Sequence, residues 1–248
     1  MVKNKSYKPN LFLSTYVDRY YTMHKASEVM FELPPIVAGT GLELLFHKNY
    51  SLQINNVTPS LGHIVCPREI MRFGETKKVS FFSVRFKSGA FRHFTNVPFF
   101  ELNNTYLSLS DIWGEEGEKL LGKITNTDKV LDKIELIESF LVEMFDKYHQ
   151  PENDKWDKII DHLYYNYKST TVEELSKQMN LSFRQFERNF KTQFGVTPKA
   201  FQKATRFQDT LKKILLKKDP DRLNAIFDNG YFDQSHFIKD FKFFTKMT

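Results

Sequence analysis

Residues 171–198 read TVEELSKQMNLSFRQFERNFKTQFGVTP, and the local chemistry of this stretch predicts two short helices joined by a tight turn. Thr171 with Glu174, and Ser182 with Gln185, have the spacing of a capping box. In a capping box the two residues satisfy each other's backbone N–H groups at the start of a helix. One helix is therefore predicted to begin after Thr171 and the other after Ser182.

A second copy of this pattern lies at the end of the chain. When the sequence is shifted by 51 residues (237 minus 186), Phe186 coincides with Phe237 and Phe190 with Phe241, without a gap. Phenylalanines four residues apart lie on one face of a helix, so each copy has an apolar inner face. Gly230 permits the sharp turn of the second copy. The repeat predicts a duplicated helix-turn-helix unit.

The side chains opposite this apolar face are of the types that read DNA. Arg and Lys donate to guanine, Gln pairs with adenine, Ser contacts several bases, and an exposed aromatic ring packs on a thymine methyl. Arg184, Gln185 and Arg188 are the candidates for base readout, and Lys239 and Lys242 are the candidates for phosphate contacts. The full set of predicted DNA-binding residues is Ser182, Phe183, Arg184, Gln185, Arg188, Lys191, Gln234, Ser235, His236, Lys239 and Lys242.

Two members of this set need a separate comment. Phe183 is predicted to be exposed, because Phe186 and Phe190 already fill the inner face. His236 precedes Phe237 at the start of a helix, so a DNA contact and a packing or capping role fit it equally well.

Between the two units, residues 197–218 read TPKAFQKATRFQDTLKKILLKK and predict a connecting helix. Thr197 is a suitable cap and Pro198 suits the first helical position. At 1.5 Å per residue, a helix of about 18 residues spans roughly 27 Å. Successive major grooves on one face of DNA lie about 34 Å apart. The duplication is therefore suited to contacting two adjacent grooves.

The positive charge of the chain is concentrated in its last hundred residues. The formal net charge is +6; residues 1–150 hold 18 Lys and Arg against 17 Asp and Glu, and residues 151–248 hold 18 against 13. A basic balance of this kind is typical of a module that binds a polyanion, although a solvated lysine-rich face has the same composition.

From Leu11 to Leu109, apolar residues come in short runs that Gly, Pro and Asn interrupt, which predicts antiparallel strands. In the run VSFFSVRF, residues 79–86, one face carries Phe82, Val84 and Phe86. Lys78, Ser80 and Ser83 flank this face imperfectly, so we expect this strand to be buried on much of both faces.

From Ile112 onward the pattern becomes helical. A seam with spacings of 4, 3, 4, 3 and 4 runs through Val130, Ile134, Ile137, Leu141, Met144 and Tyr148. The seam allows two interpretations: pairing with a second copy in a homodimer, or one amphipathic helix lying on the β domain. The polar segment 149–155 predicts a domain boundary. We expect a β domain at 1–111, a helical and potentially dimerising segment at 112–150, and a DNA-binding domain at 151–248.

Over about residues 155–248, the stretches TVEELSKQMNLSFRQFERNFKTQFGVTPKAFQKATRFQDTLKKIL and IFDNGYFDQSHFIKDFKFFTKMT resemble the DNA-binding domain of AraC/XylS-type bacterial transcription regulators. The upstream stretches FELPPIVAGTGLELLFH and VRFKSGAFRHFTNVPFFELNNTYLSLSDIWG resemble the sensor domains of such regulators. The resemblance implies an α+β protein with a β-barrel (cupin-like) sensor domain and a helical segment. An all-α domain of two helix-turn-helix units on a linker helix then follows. It also implies double-stranded DNA and a small-molecule effector as partners.

Three features of the second unit depart from the family pattern. Lys246 stands where the family usually has Gly, and the chain reaches Thr248 where a Thr-Pro pair and a final helix would follow. Phe227 replaces a residue that is usually small, and we expect it to crowd the helix pair. These departures predict weaker DNA binding by the second unit than by the first.

The remaining features give no indication of an enzyme. His24, His47, His63 and His93 are scattered singly, and no His-x-His, Cys-x-x-Cys, Gly-rich phosphate loop or nucleophile elbow is present. We therefore expect neither a cofactor nor a metal site. The alternative function is a ligand-binding sensor or adaptor whose helical domain binds protein, which would respond less to salt than a DNA-binding domain does.

The sequence also bears on the compartment. Cys66 is the single cysteine, so it cannot form an intramolecular disulfide, and a reducing compartment fits. The N-terminus lacks the apolar run of a signal peptide, and no run approaches the roughly 20 apolar residues that span a bilayer. We expect a cytoplasmic protein that does not bind a membrane.

Overall fold

The computed structural model describes residues 3–216 and 222–247. Within those residues, a sheet of five strands forms the core of the first half. The strands are β1 (Lys3–Tyr7), β2 (Val17–Phe31), β3 (Leu42–His47), β4 (Gly62–Val65) and β5 (Thr76–Phe86). Their order in the sheet is β1-β2-β5-β3-β4, and each neighbouring pair is antiparallel. The predictions of an α+β fold and of antiparallel β structure are confirmed.

The sheet is open and does not close into the barrel that we expected. Among the described residues, β1 pairs with β2 alone and β4 with β3 alone, so the sheet keeps two edges. Apolar cores lie on both faces of the sheet. Helices and loops cover these faces, so the sheet does not need to close on itself to bury them.

Strand β5 shows how the two faces are buried. Phe82, Val84 and Phe86 belong to a large core shared with the helices that follow the sheet, while Val79 and Phe81 belong to a second core. Side chains alternate between the two faces of a strand, so the two cores lie on opposite sides. The prediction of burial on both faces is confirmed.

The helices follow the sheet in two groups. The first group is α1 (Phe99–Leu102), α2 (Leu109–Trp113), α3 (Glu115–Asn126) and α4 (Val130–Tyr148). The second group is α5 (Asn153–Tyr165), α6 (Val172–Gln178), α7 (Phe183–Phe194), α8 (Pro198–Leu216), α9 (Arg222–Asp228) and α10 (Gln234–Thr245). Of the predicted boundaries, the one after residue 111 falls inside α2, and the one after residue 150 falls between α4 and α5.

The apolar seam of α4 faces the core of its own chain. Its ends, Val130 and Tyr148, pack at the margin of the sheet core. Its central residues are buried in that core: Ile134, Ile137, Leu141 and Met144. A second subunit could not reach these side chains, so the structure favours a single amphipathic helix over a coiled-coil pair.

The two halves of the chain are in contact. Arg92, in a 3₁₀ turn after β5, forms an ion pair with Asp157 of α5 and donates to the carbonyl oxygen of Asn153 at 3.0 Å. Elsewhere, Ala38 of the sheet domain shares an apolar cluster with Phe207 of α8 and Phe244 of α10. The sheet domain therefore packs against α5, the linker helix α8 and the second helix-turn-helix unit.

Candidate nucleic-acid interface

The first helix-turn-helix unit, α6 and α7, is built around buried aromatic rings. Phe186, Phe190 and Phe194 of α7 are almost completely buried. The ring of Trp156 on α5 lies against all three, with centroid distances between 5.6 and 6.3 Å. This packing confirms the predicted inner face of α7 and fixes which side of the helix faces solvent.

Both predicted capping boxes are formed. Glu174 N–H donates to Thr171 Oγ1 at 3.2 Å, and Thr171 N–H donates to the Glu174 carboxylate at 2.9 Å. Ser182 and Gln185 make the same exchange at the start of α7. The Ser182 hydroxyl also donates to Gln185 Oε1 at 2.8 Å. Gln185 is thus held by its oxygen, and its Nε2 is the atom that can donate to a base.

The outer face of α7 carries a basic strip, which consists of Arg184, Arg188 and Lys191. All three side chains are exposed, and within the described residues no hydrogen bond or ion pair engages their cationic groups. Residues three and four apart are neighbours on a helix surface, so the strip is continuous. These groups are available to an external anion or base edge.

Phe183 is not exposed as the sequence predicted. Its side chain is half-buried and packs against the apolar cluster of the first unit, beside Leu181 and Met179. Packing the ring there removes apolar area from water, and this burial is favourable even though Phe186 and Phe190 already fill the inner face.

The second unit, α9 and α10, has one more residue in its turn than the first. The backbone N–H of Leu181 donates back to α6 and closes the turn of the first unit, and the backbone N–H of Tyr231 donates back to α9 and closes the turn of the second unit. These two donors are 50 residues apart (231 minus 181). The caps that follow, Ser182 and Asp233, differ by 51. The additional residue is Phe232, which is 88% exposed. The gap-free superposition is therefore wrong at this turn, because it matched Phe232 to Leu181, which lies at the edge of the first unit's core.

Helix α10 presents a second set of exposed side chains, which are Gln234, Ser235, Lys239 and Lys242. His236 differs from them because it is partly buried. Its Nε2 lies 3.3 Å from Nη2 of Arg206, and its ring packs edge-on against Tyr231 at 5.1 Å. Of the two roles considered for His236, these contacts favour packing.

The C-terminal end of α10 is strained at one residue. Lys246 has φ of 52° in the left-handed region, where Gly195 at the corresponding end of α7 has 73°. A side chain in this region costs energy that glycine avoids. By contrast, Phe227 does not crowd the helix pair as we expected, because its side chain points outward and is 50% exposed. Thr248 lies outside the described residues.

Helix α8 connects the units as predicted, and on the side that faces α10 it contacts a buried carboxylate of that helix. Asp240 of α10 is 2% exposed and lies 3.1 Å from both Lys203 and Arg206 of α8. Tyr231 donates its hydroxyl to Asp240 at 3.1 Å, and burial together with this charge raises the pKa of the phenol. The sequence analysis missed this network. Asp240 lies three residues after the inward-facing Phe237, and that spacing could have revealed it.

The histidines that are scattered in the sequence form two pairs in space. His47 and His63 stack with ring centroids 5.3 Å apart, and Nδ1 of His93 lies 2.8 Å from Nδ1 of His149. Burial lowers the pKa of His47 to about 3 and that of His63 to about 4. Within the described residues, no three His, Cys, Asp or Glu side chains gather as a metal site would require.

Comparison with known proteins agrees with the helical domain. Residues 175–248 match the family described as a helix-turn-helix domain. Residues 175–248 therefore form a helix-turn-helix domain of the AraC type. Residues 5–108 match a family described as a domain of unknown function. No curated protein matches the sequence. Within the described residues, no helix has the length and apolar character needed to cross a bilayer.

Three solved structures of ToxT from Vibrio cholerae are similar to this chain at low identity. The apo form of a ToxT point variant has 12% identity and a TM-score of 0.48 over 98% of this chain and 97% of that chain. Wild-type ToxT bound to an unsaturated fatty acid has 12% identity and a TM-score of 0.47 over 92% of this chain and 91% of that chain. A 1.65 Å structure of ToxT has 11% identity and a TM-score of 0.48 over 100% of this chain and 96% of that chain.

Proposed function

We propose that this protein is a DNA-binding transcription regulator of the AraC type and that it reads two adjacent major grooves of double-stranded DNA, with α7 in one groove and α10 in the next. The observation that carries the proposal is that both helices are the second helix of a capped helix-turn-helix unit and present exposed cationic side chains. Helix α8 joins the units with 19 residues, or about 28 Å. That length is comparable to the roughly 34 Å between successive major grooves.

In this proposal α7 reads bases. Arg184 and Arg188 are exposed, and a guanidinium can donate two parallel hydrogen bonds to a guanine. Gln185 contributes its Nε2, while Ser182 holds Gln185 in place. Phe183 contributes only the exposed edge of its ring.

Helix α10 contributes mainly affinity. Lys239, Lys242 and, on α7, Lys191 contact phosphates as point charges. Gln234 and Ser235 occupy the first turn of α10, from which recognition helices contact base edges. Because α10 has Ser235 and Lys239 where α7 has Arg184 and Arg188, and because it ends in the strained Lys246, we expect it to discriminate less between sequences.

We also propose that a small-molecule effector binds between the domains. A cavity of about 220 Å³ lies between the sheet and α8. Apolar side chains line part of it, and Glu43 and Arg85, which form an ion pair, line the rest together with Gln208 of α8. A ligand there would touch both the sheet and the helix that joins the two DNA-binding units.

Three further features belong to the proposal. The protein acts in the cytoplasm without membrane binding, and it has no catalytic role. A homodimer stays a prediction, and it would have to use a surface other than the buried seam of α4.

The test is a footprint on the DNA that flanks the protein's own gene. We expect two protected patches on one face of the duplex, about 10 base pairs apart from centre to centre. Affinity should fall steeply with salt, because each phosphate contact releases counterions. Retention of a protein partner together with salt-independent, unpatterned DNA binding would favour the adaptor function instead.

A further inference from the structure

A polar cleft of about 480 Å³ lies between the segment that precedes α6, the linker helix α8 and the second helix-turn-helix unit. Helix α8 forms one wall. The segment before α6 contributes Lys168 and Thr170, and the second unit contributes Gly230 and His236. Apart from His236, none of the residues assigned to base or phosphate contacts lines this cleft, so it is distinct from the basic strip on α7.

The cleft is strongly positive. Its four cations are Lys168, Lys199, Lys203 and Arg206, and its one carboxylate is Asp240, so these five groups leave a net charge of +3. Asp240 is buried and paired with the two cations of α8 nearest to it. Lys168 and Lys199 are exposed, and within the described residues neither takes part in an ion pair. Two ammonium groups at the cleft are therefore available to an anion.

A buried hydroxyl in the same cleft lacks a partner. Thr170 is 8% exposed, and its Oγ1 makes no hydrogen bond among the described residues. Its carbonyl oxygen, in contrast, accepts from Nε2 of Gln202 at 2.8 Å. Buried polar groups are normally satisfied, and an unpartnered hydroxyl is costly. Oγ1 itself has almost no exposed surface, so an acceptor oxygen placed in the cleft would give Thr170 its missing partner once the side chain rotates toward the cleft.

We propose that the cleft binds a phosphate group. A phosphate offers several acceptor oxygens and negative charge, which fits two ammonium groups and a hydroxyl that approach from different elements. The phosphate can come from the backbone of bound DNA between the two recognition helices, or from a free phosphorylated molecule. The DNA source rests on the proposed function, whereas the free source does not.

Two variants test the site. The first is the double substitution Lys168→Gln with Lys199→Gln, which removes both available ammonium groups. Its matched control is Lys155→Gln with Lys158→Gln, which removes the same charge from exposed positions on α5 outside the cleft. The second variant, Thr170→Val, keeps the shape and the net charge and removes only the hydroxyl. Each full-length protein is measured for DNA affinity against salt, and without DNA for binding of inorganic pyrophosphate by calorimetry.

The two sources give different results. If DNA supplies the phosphate, the slope of log affinity against log salt falls by about 1 to 2 in the cleft double variant, since each lost contact is worth about 0.9. The control keeps the slope of the natural protein. If a free molecule supplies it, the slope is unchanged, but pyrophosphate binding is lost in the cleft variant and kept in the control. In either case Thr170→Val weakens binding severalfold.

The proposal is overturned if the cleft double variant and its control behave alike in both measurements, or if Thr170→Val binds as tightly as the natural protein. Failure of the natural protein to bind its operator would reject the proposed DNA function instead. The pyrophosphate measurement would still report on the cleft in that case.

Discussion

The side-chain amide of Asn103, directly after α1, donates a hydrogen bond to the carbonyl oxygen of Gly195 at 3.0 Å. Gly195 ends α7, the helix that we propose reads bases. The sheet domain therefore touches the end of a recognition helix directly, in addition to its ion pair with α5. A rearrangement of α1 would therefore act on α7 directly, and α8 would not have to transmit it.

This contact makes Gly195 less tolerant of substitution than Gly230. Both glycines have left-handed backbones, with φ of 73° and 78°. Alanine in that region costs about 1 to 2 kcal/mol. At Gly195 an added methyl group would also meet Asn103 and the carbonyl oxygen of Phe99, whereas at Gly230 it would meet no described atom within 4 Å apart from those of its chain neighbours.

We expect Gly230→Ala to lower the free energy of unfolding by about 1 to 2 kcal/mol. Gly195→Ala should lower it by about 1 kcal/mol more, because a side chain or the backbone must shift. Urea denaturation of the two variants measures the difference. Equal losses would contradict the close approach of α1 to α7.

Lys246 predicts a substitution that stabilises the protein. It has the left-handed conformation that Gly195 has in the first unit, and its side-chain contacts are weak: an ion pair with Glu69 at 3.9 Å, which is largely exposed, and a contact with the ring of Phe243. We expect Lys246→Gly to raise the free energy of unfolding by about 0.5 to 1 kcal/mol. Lys246→Ala removes the same contacts without relieving the backbone, so it should not stabilise. Thermal melting compares the two, and a melting temperature that is lower for the glycine variant than for the alanine variant would rule out backbone strain.

The sequence predicted the parts of the fold that local chemistry determines. The capping boxes at Thr171 and Ser182 and the inward phenylalanines of α7 depend on residues within one or two helical turns, so they could be derived without tertiary information. The family match to residues 175–248 confirms the domain that this pattern indicates.

The parts that depend on distant partners could not be derived. A seam such as that of α4 looks the same whether it packs on its own sheet or on a second subunit. Asp240 is satisfied by Lys203 and Arg206 of another helix, and Thr170 lines a cleft that exists only when α8 and the second unit are in place. The additional turn residue Phe232 was hidden because the phenylalanines that match after the turn, Phe237 and Phe241, favoured an alignment without a gap.

Arg184 and Lys242 should have different effects on DNA binding. A bidentate contact from Arg184 to a guanine is worth about 1 to 3 kcal/mol of discrimination, so Arg184→Ala should relax the base preference at one position. Lys242→Ala should weaken binding to all sequences alike, with a salt slope lower by about 1. Competition between the operator and random DNA measures both effects. Equal losses on the two DNAs for Arg184→Ala would reject its role in base readout.

The stacked pair His47 and His63 predicts that the sheet domain is sensitive to acid. Burial holds the pKa of His47 at about 3 and that of His63 at about 4, both below the ordinary value of 6.5, so the folded state favours the neutral rings. Their contribution to stability is fully present above pH 6.5. It is lost progressively as the pH falls below 6.5, and the loss is complete for His63 below about pH 4 and for His47 below about pH 3. The loss is on the order of a few kcal/mol, since one pKa unit corresponds to about 1.4 kcal/mol.

We expect His47→Leu to make this loss smaller, because neither ring nitrogen of His47 has a hydrogen-bond partner among the described residues, and a leucine of similar size introduces no charge in acid. The free energy of unfolding, measured between pH 7 and pH 4, should fall less steeply in His47→Leu than in the natural protein. His24→Leu, at an exposed position of β2, is the matched control and should keep the natural slope. If His47→Leu and His24→Leu had the same pH profile, burial of a neutral His47 could not be the source of the acid sensitivity.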